Sequence, residues 1–335
     1  MSLYSKLRNK LSDKNRGRLT QLIYKLGLKP TVNKKTNSFD KGVIVFSADF
    51  EMAWAFRFSK RRKDKAVELG LREREQVLKL VDIFDHYNMP VTWATVGHLF
   101  LSFCEKKENN LPHPDMIRPK PFENKNWYFN SGDWYQHDPC TDYQKDPAWY
   151  APDLIQKIIN AKAKHEIGCH TFSHCDFSDS NCSKEMAESE LNKCVELANK
   201  TGVKLKSMVF PGGTAGNYTV LKEKGIISYR KPMKYHIDMP ILDQHGLVSI
   251  PSSHTLEQDP YGWSEKFHIE ILKSFVKKTV KSKKVCHFWF HPSLSPWYLE
   301  NVIPKLLHMI DNLRSQGKIE VLTMSQLAEK VINND

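Results

Sequence analysis

Residues 42–50 read GVIVFSADF, an apolar run interrupted only near its end by Ser47 and Asp49. A strand covered on one face alternates polar and apolar residues. A continuous run belongs to a strand buried on both faces, which implies a parallel sheet with helices packed over it. The chain keeps to that plan. VELGLREREQVLKLVDIFDHYN has helical spacing, MPVTWATVGHLF supplies a second strand, PDLIQKIINAKAK a helix and HEIGCH a third strand. KEMAESELNKCVELANKTG begins with acidic residues and ends at Gly202, both helix signals. KSMVFPGG (strand), NYTVLKEKGI (helix) and KVCHFWFHP (strand) follow, and PKLLHMIDNLRSQGKIEVLTMSQLAEKV closes with helix, strand and helix. So many strand–helix units predict an α/β fold of the (β/α)-barrel type rather than a small open sheet.

Two segments stand outside the alternation. Residues 1–40 hold ten Lys/Arg against Asp13 and Asp40, whereas the other 295 residues hold 40 basic and 36 acidic, so most of the net charge of +12 sits in a leader. Leu3, Leu7, Leu11, Leu19, Leu22, Ile23 and Leu26 recur between basic residues until Pro30, a broken amphipathic helical pattern. Residues 1–30 suit peripheral contact with an anionic membrane; the other reading is a helix that docks on the body and shows its lysines to water. TVNKKTNSFDK then reads as a linker, giving a leader and linker over 1–40 and a barrel over 41–332. The second segment, 104–152, crowds Trp127, Tyr128, Phe129, Trp134, Tyr135, Tyr143, Trp149 and Tyr150 among polar residues. Long connections inside a domain are usually functional. A sugar-stacking lid and rings that fold the insertion onto the barrel are both open.

Several classes fall away. No apolar run approaches the length of a membrane span, and the N-terminus has no apolar core with a small-residue cleavage site. Seven cysteines, an odd number without a C-x-x-C pair, argue for a reducing compartment, so a cytoplasmic location is expected, peripheral at the inner membrane face if the leader binds lipid. The body lacks a basic stripe with interleaved aromatics, so nucleic acid is not an expected partner.

In parallel α/β barrels the chemistry sits at the C-terminal ends of strands. Four such ends are unusually polar: Asp49-Phe50-Glu51, His170-Thr171-Phe172-Ser173-His174, Phe210-Pro211-Gly212-Gly213 and His291-Pro292. Imidazole and carboxylate are the ordinary ligands of zinc and related divalent ions. H-x-x-x-H alone is a weak signal, and an acid at a strand end is often only a helix cap; the four elements in this order are far more specific. Trp54 and Arg57 follow the first strand and would border the same mouth, as substrate-binding residues. Arg57, Lys60, Arg61, Arg62 and Lys63 would meet phosphates of a nucleotide-linked or lipid-linked sugar, or simply form a solvated helix start.

The order resembles the NodB-homology polysaccharide deacetylases, carbohydrate esterase family four, over roughly residues 41–330. HEIGCHTFSH looks like their H-E-I-G-x-H-[ST]-x-x-H motif, FSADFE stands where they have T-F-D-D, and HFWFHPS resembles their Leu-x-His element. The resemblance implies a distorted (β/α) barrel, one divalent metal ion (zinc first, cobalt or nickel as alternatives) and hydrolysis of an N-acetyl group from a sugar. It implies His170 and His174 as metal ligands, Asp49 as general base and His291 as general acid. The family's second Asp falls on Phe50; some members read D-x-D or D-x-E, which makes Glu51 the third ligand, with a swap between Asp49 and Glu51 left open. Phe210, Pro211, Gly212 and Gly213 would contact substrate. His287, about 13 Å deeper along the strand than His291, is assigned to the barrel interior. Two departures stand out. Val209 occupies the place of the arginine that orients the catalytic Asp, and only Asp238 stands in for the Asp-Trp element that tunes the acid histidine.

The expected activity is thus a metal-dependent sugar N-deacetylase acting on a precursor in surface glycan or lipopolysaccharide assembly. The alternatives are hydrolysis of another linear or cyclic amide on the same barrel, and a catalytically silent sugar-binding or scaffold barrel.

Overall fold

The computed structural model describes residues 12–106, 110–232 and 235–333. The leader's first leucines, Leu3, Leu7 and Leu11, lie outside the described residues. Helix α1 spans Asp13–Lys25 and strand β1 Gly42–Phe50. Then come α2 (Ala66–His86), β2 (Thr92–Thr95), α3 (Pro152–Ile159), β3 (Glu166–Cys169), α4 (Lys184–Lys200) and β4 (Ser207–Met208). The second half holds α5 (Tyr218–Glu223), β5 (Ser228–Lys231), β6 (Val248–Pro251), β7 (His254–Thr255), α6 (Glu265–Ser282) and β8 (Val285–Phe290). Helix α7 (Ile303–Ser315), strand β9 (Ile319–Leu322) and helix α8 (Met324–Ile332) end the fold.

The strands pair in the order β6-β5-β4-β3-β2-β1-β8-β7, all parallel, with β9 on the first half of β1 and the two-residue strand Ile241–Leu242 antiparallel on β6. The sheet curls into a half-barrel whose ends do not meet. All nine residues of β1 are buried, as its unbroken apolar run requires. Alternation divides them: Val43 and Val45 face inward with Ala94, Val209, Val248, Ile250 and Val285. Ile44, Phe46 and Phe50 face the helices with Leu80, Phe84 and Trp93. Burying each of these large side chains contributes about 1.5–3 kcal/mol. The same alternation turns Ser47 and Asp49 inward. Because the strands are parallel and in register, with Phe290 opposite Ala48 and Phe50 opposite Thr95, their C-terminal ends gather at one rim.

The N-terminal segment lies against the body. Tyr24 packs on Tyr235, Phe267 and Phe275, while Leu22, Leu26 and Leu28 face solvent. Thr31–Val32 adds a short parallel pair to His236–Ile237. Most rings of the 104–152 insertion are spent on packing: Phe129, Trp134, Tyr135, Trp149 and Tyr150 are buried. Among the described residues no helix is long and apolar enough to cross a membrane.

Candidate active site

The backbone leaves β1 through a sharp turn. Glu51 has φ −133° and ψ −20°, and Met52 is left-handed at φ 48°. Glu73, reaching up from α2, fixes this turn: its Oε1 accepts the N–H of Glu51 at 2.8 Å and of Met52 at 3.1 Å. Burial, and next the charge of Glu51, raise the Glu73 carboxyl well above the usual range. The turn lets the two positions do opposite things. Phe50 points to the helix layer and meets the Trp93 ring edge-on. Glu51 swings back over the rim, where its Oε2 lies 3.1 Å from His170 Nε2 and 3.0 Å from His174 Nε2.

The two histidines do not share a helical turn. Residues 170–174 form an irregular loop with Thr171 and His174 at positive φ, 59° and 54°, a conformation uncommon outside glycine and typically held by its surroundings. Here Glu190 of α4 accepts the Ser173 N–H at 2.9 Å and its hydroxyl at 2.7 Å. Trp134 Nε1 donates to Ser173 Oγ at 2.8 Å and Arg57 Nη2 to the Ser173 carbonyl at 2.6 Å. His170 Nδ1 donates to the Val209 carbonyl at 2.7 Å, so its Nε2 offers a lone pair toward Glu51. Burial, outweighing the nearby Glu51 charge, lowers His174 to about 4 and keeps that ring neutral. Burial also opposes ionisation of Glu51, but His291, His174 and His170 together hold its pKa well below the usual range. The lone pair of His170 Nε2 and the Nε2 of a neutral His174, both beside one carboxylate oxygen, are the donor set of a divalent cation, so Glu51, His170 and His174 fit a metal ion.

Asp49 is held differently. Arg230, from β5, grips it through two contacts, Nη1 to Oδ1 at 2.6 Å and Nη2 to Oδ2 at 2.7 Å. Burial raises the Asp49 pKa, and Arg230, joined by His170 and His291, more than reverses this, so the carboxylate is favoured. Arg230 also donates to Ser47 at 3.0 Å and stacks 4.5 Å over Trp289. An arginine on the first acid is thus present although position 209 is valine; the backbone of Val209 serves His170 instead. His291 Nε2 stands between the two acids, 3.5 Å from Glu51 Oε1 and 3.9 Å from Asp49 Oδ2. His287 sits deeper, fully buried, with Nε2 2.8 Å from Ser47 Oγ. Asp238 is no partner of His291. It binds Asn33 and Thr36 and its carbonyl accepts the N–H of Val285, at the opposite end of β8.

A cleft of about 680 Å³ opens over these groups, its floor including Asp49, Glu51, His174 and His291. Phe210, Trp127 and Trp289 form walls, and Arg61, Arg62 and Lys125 stand at the rim. Gly212 and Gly213 line it, whereas Pro211 does not. Gly212 has φ 57°, and a Cβ there would come within 2.6 Å of Asn126 Nδ2 and 2.8 Å of Trp127, so only glycine lets the insertion approach this closely. Trp54 and Arg57, expected at the substrate, are not in the cleft. Trp54 is fully buried and donates to the Trp149 carbonyl. Arg57 lies between the Trp54 and Trp134 rings with its donors on backbone carbonyls, and burial lowers it to about 10. An arginine in a basic run reads as surface; this one braces the histidine loop from behind.

The family model described as polysaccharide deacetylase matches residues 69–227. That span contains His170 and His174 and ends before Arg230. Among curated proteins none matches the sequence. Among solved structures the chain is similar to a Mycobacterium smegmatis protein described as a putative polysaccharide deacetylase, at 16% identity over 89% of this chain and 93% of that one, TM-score 0.59. It is similar also to the α-amylase AmyC of Thermotoga maritima, at 10% identity over 86% of this chain and 74% of that one, TM-score 0.51. A deacetylase-like protein and an amylase on one scaffold make the likeness one of fold.

Proposed function

From a chain whose residues 69–227 belong to the polysaccharide deacetylase family, we propose a metal-dependent hydrolase that removes the N-acetyl group of a sugar. The observation that carries this reading is the pairing of two differently held acids. Glu51 faces two histidine nitrogens and Asp49, beside it, is gripped by Arg230. Bound by Glu51, His170 and His174, a divalent ion such as zinc supplies Lewis acidity and a water of lowered pKa. Asp49, kept ionised by Arg230, accepts the proton of the attacking water. His291, within reach of both acids and half-exposed to the cleft, delivers a proton to the departing amine, which would otherwise leave poorly. Trp127 and Trp289 offer faces for a sugar ring, and Arg61, Arg62 and Lys125 suit a phosphate on the substrate.

A precursor in surface glycan or lipopolysaccharide assembly fits this reading better than a finished polymer. All seven cysteines are free, which agrees with a reducing compartment such as the cytoplasm. Leu22, Leu26 and Leu28, exposed beside Lys25 and Lys29, would serve peripheral contact with a membrane.

The test is acetate release from a panel of free, nucleotide-linked and lipid-linked N-acetyl sugars by zinc- or cobalt-loaded protein. Release by wild type and none by His170→Ala/His174→Ala is expected. A loaded wild type that hydrolyses no N-acetyl sugar, but does hydrolyse other linear or cyclic amides, would reassign the substrate. A wild type that takes up no metal at Glu51, His170 and His174 would end the hydrolase reading.

A further inference from the structure

Behind the histidine loop, four more donor atoms meet. His98 lies in the 3-10 turn Gly97–Phe100 after β2, Cys104 opens the insertion, and His113 and Asp138 come from within it. His98 Nε2 is 3.1 Å from His113 Nε2 and 3.0 Å from Asp138 Oδ2. His113 Nε2 is 2.9 Å from the same oxygen and Cys104 Sγ 3.2 Å from it. The four atoms all lie within 4.8 Å of one another, and the four residues are at most 9% exposed.

Protons alone satisfy this arrangement poorly. Each imidazole nitrogen has a single in-plane position, holding either a proton or a lone pair. His98 Nδ1 faces the Trp149 carbonyl at 3.3 Å, an acceptor, which leaves a lone pair on His98 Nε2. That lone pair then confronts the Asp138 oxygen at 3.0 Å. With Asp138 ionised, no placement of protons makes hydrogen bonds along all three sides of the His98–His113–Asp138 triangle. One cation at its centre satisfies every side. Tetrahedral zinc with bonds of about 2.0–2.1 Å to nitrogen and oxygen sets such atoms about 3.3 Å apart, close to the separations here.

We propose that His98, Cys104, His113 and Asp138 form a second metal site, a closed structural site for zinc that staples the insertion to the barrel. Two nitrogens, one thiolate and one carboxylate complete a tetrahedron with no position left for substrate. The surrounding shell orients the ligands as metal sites require. Tyr150 Oη donates to the outer oxygen of Asp138 at 2.9 Å, the Cys140 N–H donates to it at 3.0 Å, and the Trp149 carbonyl holds His98. The staple bears on the cleft. The Gly97 and His98 N–H groups donate to the carbonyls of Thr171 and Phe172 at 2.8 and 3.0 Å, and the His98 ring lies 4.2 Å from that of Trp54. This inference does not depend on the deacetylase reading.

Cobalt(II) is the probe, because only the second site offers it sulfur. The full chain, expressed without a histidine tag in cobalt-supplemented medium, is expected to hold two cobalt ions and to show a thiolate-to-cobalt charge-transfer band in the near ultraviolet. His170→Ala/His174→Ala should drop to one ion with that band intact. Cys104→Ser should lose the band. Should Cys104→Ser fail to fold, wild type and the double variant still decide. A cobalt-loaded wild type without the band, a double variant without cobalt, or a band that survives in Cys104→Ser each overturns the proposal. Loss of deacetylation with the band intact bears only on the other site.

Discussion

Two pairs of histidines in this molecule close on a carboxylate oxygen with nearly the same dimensions. At the strand ends Glu51 Oε2 is 3.1 and 3.0 Å from two Nε2 atoms; beneath the insertion Asp138 Oδ2 is 3.0 and 2.9 Å from two others. What differs is the fourth side. Around Glu51 it opens on the cleft, with Asp49, Arg230 and His291 beside it. Around Asp138 it is filled by Cys104 and backed by Tyr150. On the proposed readings the same three-atom grip would serve reaction in one place and cohesion in the other, with its neighbours deciding which.

The sharpest way to break this contrast is Asp49→Asn. It removes the proton acceptor and leaves Glu51, His170 and His174 in place, so kcat/KM should fall by about 10²–10⁴-fold with metal content close to wild type, and with a lower Tm because buried Arg230 loses its counter-charge. Activity within a few-fold of wild type would mean that Asp49 is no base and that the open site lacks its distinguishing feature. Arg230→Met should cost less, roughly 10–100-fold, from misplacement of Asp49. It carries a sign as well. Arg230 lowers the Asp49 pKa, and a base works only while ionised, so activity disappears as pH falls through that pKa. Without Arg230 the pKa rises, and the acid limb of the kcat/KM profile should move to higher pH; an unmoved limb would detach Arg230 from Asp49. Tyr150→Phe should have the smallest effect. Losing a hydrogen bond to a charged acceptor costs about 1.5–3 kcal/mol, seen as a lower Tm and weaker retention of one metal equivalent against a chelator, while kcat stays within about twofold.

Much of the scaffold was legible because six of the labelled strands, β1 to β4, β8 and β9, announced themselves as largely apolar runs. β5, β6 and β7, which fall between residues 228 and 255, did not. Ser228–Lys231 reads SYRK, four residues with two charges, so the strand that delivers Arg230 left no hydrophobic signature, and a search one strand earlier met Val209. Glu51 could be reached because β1 ends there, although the turn at Met52 that aims it depends on Glu73, one acid among many on an amphipathic helix. The second cluster was hidden for another reason. Its ligands are spread from 98 to 138 without a repeated spacing, and Cys104 counted only as one of seven scattered thiols. Aromatic crowding in the insertion was visible, but whether the rings faced sugar or core is a matter of packing; Trp127 alone of the buried tryptophans there borders the cleft.

The parallel order of the strands also sets a timetable for synthesis. Asp49 is joined to Arg230 across 181 residues and Ser47 to His287 across 240. At about 5–20 residues per second, a ribosome needs roughly 10–50 s to make the second interval. Throughout it β1 lacks its β8 neighbour, leaving one edge of the longest strand among the described residues unpaired, a condition that invites aggregation. Substitutions that lower the charge or polarity around residues 42–50 would therefore be felt first as lost yield during expression, before any change in the finished enzyme could be measured.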